Sequence, residues 1–118
     1  MAFEDYPLVS EEVVNSLIEM AGDDSLVKEL FGSYLNDLED LVAKCNDHFS
    51  TSNYEGLKSD IHALKGVSGT IGCERMHQVC TSINNDVKSG VFDNLASFMQ
   101  DFNGTSVELK ALIQEKYV

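Results

Sequence analysis

The stretch from Leu57 to Gly72, LKSDIHALKGVSGTIG, decides how the chain is read. Leu57, Ile61, Leu64, Ser68 and Ile71 recur at three- and four-residue spacing, which places them on one stripe of an α-helix and turns that stripe toward a core. At about 100° per residue, His62 falls far round from the stripe. Lys58, Lys65, Gly66 and Gly69 cluster with it on the outward wall. The helix is therefore expected to bury one side and present a basic, glycine-thinned patch on the other.

Glycine inside a helix costs roughly 0.8–1 kcal/mol relative to alanine, yet this helix holds Gly56, Gly66 and Gly69. Gly66 follows His62 by four residues and Gly69 by seven, so both flank the imidazole and remove side chains that would keep another protein's surface away. Lys65, three residues after His62, can swing its ammonium toward an anion on the ring, and Lys58, four residues before, adds a second positive charge. Imidazole titrates near about pH 6.5 in general, so an unprotonated ring nitrogen can attack phosphorus directly and become a phosphoramidate. Phosphoryl transfer depends on in-line positioning and charge neutralisation. One nucleophile, two lysines and an open glycine surface supply half of such a site, and a second protein must bring the rest. The chain has no phosphate-binding glycine loop and no kinase signature, so neither ATP binding nor autonomous kinase activity is expected.

Working outward, Ser10 offers an N-cap to a short helix that Gly22 stops, with Glu11 and Glu12 placed to meet the helix dipole. Asp23, Asp24 and Ser25 turn the chain into a second helix whose apolar positions run from Leu26 through Leu30 and Phe31 to Cys45. Asn46 to Ser52 reads as a polar loop, and Ser52-Asn53-Tyr54-Glu55 has the form of a capping box. Met76, Val79, Cys80, Ile83 and Val87 give the next helix its inward stripe, and Asn103-Gly104 is read as lying within one long last helix. Helices are expected over about 10–21, 25–46, 53–71, 74–89 and 93–116, with residues 1 to 9 as a loosely packed lead-in. Short connections between long amphipathic helices predict an all-α single domain over 1–118: an antiparallel up-down-up-down four-helix bundle with a short extra N-terminal helix.

The net charge of -12, from 8 Lys and Arg against 20 Asp and Glu, excludes nucleic acid and anionic membrane surfaces as natural partners. Three cysteines without a disulfide spacing, and no leader-like or membrane-spanning run, predict a cytoplasmic setting. The chain is expected to be a monomer. Cys73, His77 and Cys80 share helical spacing but lack a fourth ligand, so no metal site is expected.

The run His62-Ala63-Leu64-Lys65-Gly66-Val67-Ser68, with Gly72 ten residues after the histidine, resembles the His-x-Leu-Lys-Gly-x-Ser/Ala signature of histidine-containing phosphotransfer (HPt) domains. The resemblance covers about residues 10 to 90. It implies that His62 accepts a phosphoryl group from the aspartyl phosphate of one response-regulator receiver domain and donates it to another, downstream of a hybrid sensor histidine kinase. It further implies that Lys65 stabilises the phosphate, that Gly66 permits close approach, and that Asn84 orients the imidazole. No cofactor is expected on this chain; the resemblance implies that the receiver supplies Mg2+. Val13, Leu17, Met20, Leu26 and Leu30 are then the candidate apolar docking residues, and Gly69 is a further partner-docking candidate. A second reading is a helical binding module without covalent chemistry that docks a partner through the same patch.

Overall fold

The computed structural model describes residues 2–118. After a 3₁₀ turn, Ala2–Asp5, come α1 (Glu11–Ala21), α2 (Ser25–Ser50), α3 (Tyr54–Ile71), α4 (Glu74–Ser89) and α5 (Leu95–Lys116); the described residues form no strand. The all-α expectation holds. Local chemistry sets the ends: Ser10 Oγ accepts the Val13 amide hydrogen at 3.3 Å, and Gly22, Gly72 and Gly90 close their helices in the left-handed conformation that glycine takes without strain.

The α3 helix packs between α2 and α4, α4 packs on α5, α5 on α2, and α1 on α2. Every member of the α3 stripe, Leu57, Ile61, Leu64, Ser68 and Ile71, is buried, and so is every member of the α4 stripe. On α2 the inward face is turned slightly from expectation: Val27 is buried, while Leu30 is 37% exposed. The one hydroxyl on the α3 stripe is satisfied, since Ser68 Oγ lies 2.8 Å from the buried Tyr34 hydroxyl on α2. Burial raises the Tyr34 pKa far above its ordinary value, so the phenol remains protonated in this bond. All three cysteines are free and buried, and burial pushes the Cys45 and Cys73 thiols up to about 12.

Four expectations are corrected. Asn46 to Ser50 is not loop but the last turn and more of α2. Its polar residues have tertiary partners: Asn46 and Asn103 exchange hydrogen bonds at 2.8 and 3.0 Å, and His48 Nδ1 lies 2.6 Å from Asp60 Oδ2. The cap of α3 is Asn53, whose side chain accepts the Gly56 amide at 3.0 Å, because Ser52 sits at φ 55 and cannot take the extended cap conformation. The lead-in is tied down on α4, where Arg75 donates to the carbonyls of Pro7 and Tyr6 at 3.0 and 2.9 Å, and Phe3 is buried. Finally, α5 begins at Leu95 rather than Asp93. It then runs unbroken through Asn103-Gly104, as the sequence reading favoured.

Tyr34→Phe is expected to lower unfolding stability in urea by about 1–3 kcal/mol, because it strands the buried Ser68 hydroxyl. Adding Ser68→Ala should recover much of that loss, and a purely additive double variant would show that the two hydroxyls do not interact.

Candidate functional site

His62 is exposed on α3, as its phase demands, and it lines a cavity of about 370 Å³ together with Glu55, Lys58 and Ser59 of α3 and Asn84 and Lys88 of α4. The imidazole therefore stands at a groove between two packed helices. Lys65 and Gly66 instead line a second cavity, of about 510 Å³, with Gly69, His77 and Gln78, and it shares no lining residue with the first. Lys65 is half-buried rather than fully outward. Among the described residues His62 makes no hydrogen bond or ion pair, and neither Lys65 nor Lys88 pairs with a carboxylate, whereas Lys58 Nζ lies 3.5 Å from Glu55 Oε2. Asn84 shares the cavity but makes no hydrogen bond to His62, and its Oδ1 is buried without a partner.

The α3 glycines separate by what fills the space beside them. A Cβ on Gly66 would meet nothing within 4 Å, so this position is open. A Cβ on Gly69 would lie 2.8 Å from His77 Nδ1, and one on Gly56 would lie 2.7 Å from His48 Nδ1. The bare surface at Gly69 and Gly56 is thus taken up by imidazoles of the same chain. Gly72, at φ 86, similarly receives Val13, whose Cβ would sit 2.9 Å away.

The five apolar docking candidates are dispersed. Leu17 and Leu30 line a cavity of about 280 Å³ with Tyr34, Val67 and Ile71, while Val13 packs on Gly72, Leu26 is half-buried, and Met20 is 78% exposed outside that cavity. Lys88 is the site residue that sequence reasoning missed. It follows His62 by 26 residues on another helix, and its one local signal is that it lies four residues after Asn84, on the same face of α4. Among the described residues no group of three or more His, Cys, Asp and Glu side chains gathers as a metal site. No helix among them is long and apolar enough to cross a membrane.

The sequence profile of the Hpt domain matches residues 29–115, most of the chain and both walls of the groove. The chain belongs to the Hpt domain family. It is 30% identical over 84 residues to multistep phosphorelay regulator 1 of Schizosaccharomyces pombe, a match covering 70% of this chain and 28% of that protein. It is 31% identical over 93 residues to the signal transduction histidine-protein kinase BarA of Shigella flexneri, covering 71% and 10% respectively. The chain thus spans only a small part of the length of these two relatives. The fold matches the crystal structure of histidine-containing phosphotransfer protein B from Pseudomonas aeruginosa PAO1 with a TM-score of 0.83 at 16% identity, over 94% of this chain and 95% of that one.

The two glycines flanking the site should respond differently to a methyl group. Gly66→Ala is expected to raise the thermal midpoint, by up to about 1 kcal/mol of helix propensity. Gly69→Ala should gain less or lose stability, because the His77 ring must move. Equal gains in both variants would show that His77 does not need the space.

Proposed function

We propose that this Hpt domain is a phosphorelay intermediate of two-component signalling, in which His62 accepts a phosphoryl group from a receiver-domain aspartyl phosphate and passes it to another receiver. The observation that carries this reading is an exposed, unpaired imidazole on a rigid helix, set in a lysine-lined groove with an open glycine one turn away, in a chain that belongs to this family. The unprotonated ring nitrogen of His62 attacks phosphorus in line. The N–P bond forms as the O–P bond of the partner's acyl phosphate breaks, and the partner's aspartate leaves as a carboxylate. Onward transfer is the reverse, with a second aspartate as nucleophile.

In this reading Lys65 and Lys88, both free of carboxylate partners, stabilise the phosphoryl oxygens from α3 and α4, with Lys58 as a third cation held back by Glu55. Asn84, which lines the same cavity as His62, orients the imidazole when the phosphorylated partner is bound. Gly66 admits the partner's surface, and the receiver brings the Mg2+. Leu17 and Leu30, beside the cavity they share with Val67, form the centre of the docking surface, and the dispersed Val13, Met20, Leu26 and Gly69 lie outside that cavity.

The architecture in this reading is a single domain, a four-helix antiparallel bundle of α2 to α5 with α1 as the extra N-terminal helix. Its support is the register of α2 on α3, where Tyr34 meets Ser68 and His48 meets Asp60, and the closed ring of contacts from α2 through α5. The printed names of the relatives, a phosphorelay regulator and a histidine-protein kinase, favour receiver domains and a hybrid sensor kinase as partners. A monomer in the cytoplasm fits this role.

Incubation with a receiver domain phosphorylated by acetyl phosphate should move label onto His62 as an acid-labile, base-stable modification, and His62→Gln should take none. Label persisting in that variant would remove the assignment and favour a binding module. Lys65→Ala should slow transfer or shorten the phosphohistidine half-life by about tenfold, the scale of one charge-assisted hydrogen bond of about 1.5 kcal/mol, with little change in the thermal midpoint. Gly66→Gln should give a more stable protein that transfers poorly; normal transfer would count against close approach.

A further inference from the structure

We propose that His77 is a positioning residue for the chemistry at His62, acting through the backbone carbonyl of Lys65. The inference rests on the reading that Lys65 attends the phosphoryl group. His77 Nδ1 lies 3.0 Å from the Lys65 carbonyl oxygen. A carbonyl only accepts, so Nδ1 carries the hydrogen, and it does so in both the neutral and the protonated ring. The Lys65 carbonyl also stands where the α3 ladder directs it at the Gly69 amide four residues on, and the imidazole takes its second lone pair.

Gly69 is what lets the ring reach that oxygen. A Cβ there would lie 2.8 Å from His77 Nδ1 and 3.1 Å from Cε1, closer than a side chain and a ring tolerate. The bare residue and the imidazole are thus matched parts of one contact between α3 and α4. It grips the turn from Lys65 to Gly69, which carries both the proposed phosphate-binding lysine and the open Gly66. The same α4 presents Asn84 two turns further on, in the cavity that holds His62. Through this contact α4 fixes Lys65 relative to the groove. In phosphoryl transfer, where little but placement and charge lowers the barrier, a loosened lysine is felt in the rate.

The test uses the full chain, phosphorylated on His62 by a receiver domain charged with acetyl phosphate, and follows the phosphohistidine half-life and onward transfer at neutral pH after the receiver is removed. His77→Leu should shorten the half-life and slow transfer about three- to tenfold, the range of one hydrogen bond. His77→Asn, whose amide can stand where Nδ1–H stands, should restore both to within about twofold. Gly69→Ala, which displaces the ring, should repeat the His77→Leu effect, and it carries the test if His77→Leu fails to fold. In a Lys65→Ala background, His77→Leu should change nothing further. A wild-type half-life in His77→Leu and Gly69→Ala, equal defects in the Leu and Asn variants, or a full effect without Lys65 would each overturn the proposal. Absence of label on His62 in the wild-type chain would overturn the functional reading itself, and this inference with it.

Discussion

Burial of one stripe of α3 between α2 and α4 is the constraint from which the rest follows. With Leu57, Ile61, Leu64 and Ser68 fully enclosed, the rotation of α3 about its axis has no freedom left, and His62 must face out. The stripe includes one polar residue, and the Tyr34 hydroxyl that satisfies it fixes the axial register of α2 on α3 as well as the rotation. On the proposed reading, a nucleophile that must meet a partner's phosphorus in line is thereby carried on a helix packed on both sides, rather than on a loop. Placement is settled in folding, before any partner arrives.

That constraint gives the glycines of α3 two kinds of work. Helices pack closely where a side chain is missing, and at Gly56 and Gly69 the missing side chain is replaced by a histidine from α2 or α4, each with a hydrogen bond back to α3. The propensity lost at those positions is offset within the molecule by burial and hydrogen bonding. Gly66 has no such compensation, since nothing approaches it. Its cost to the helix is not offset within the molecule, which is why, on the proposed reading, this glycine rather than Gly56 or Gly69 serves the approach of a partner.

Much of this was legible in the sequence because it is local. Helical period and caps are written in residues three and four apart, and the α3 and α4 stripes, the Ser10 cap and the stops at Gly22, Gly72 and Gly90 all followed from them. The outward phase of His62 followed in the same way. What escaped was non-local. Asn46 and His48 read as loop residues because their partners, Asn103 and Asp60, lie on other helices. Gly69 read as clearance for a partner because His77, its neighbour in space, is eight residues on and across a turn. Lys88 reaches the groove from a different helix and has no spacing relation to His62 that a single helix would reveal.

The charge distribution completes the account of half a site. The chain carries -12, and most of its few cations are held by carboxylates: Lys28 by Asp24, Lys44 by Asp40, Lys58 by Glu55, Arg75 by Glu108 and Lys116 by Glu11. Such exposed pairs add little stability, yet they leave Lys88 in the His62 cavity and Lys65 in the second cavity along α3 without carboxylate partners. At physiological ionic strength, fields fade over about 8 Å, so a free anion approaching from solution meets the acidic surface before it meets those two lysines. On the proposed reading, a phosphoryl group escorted by a protein, with its charge already neutralised, passes that surface and meets the lysines at contact range. The net acidity then disfavours a free anion more than one delivered by a docked protein, and selectivity follows from the charge distribution itself.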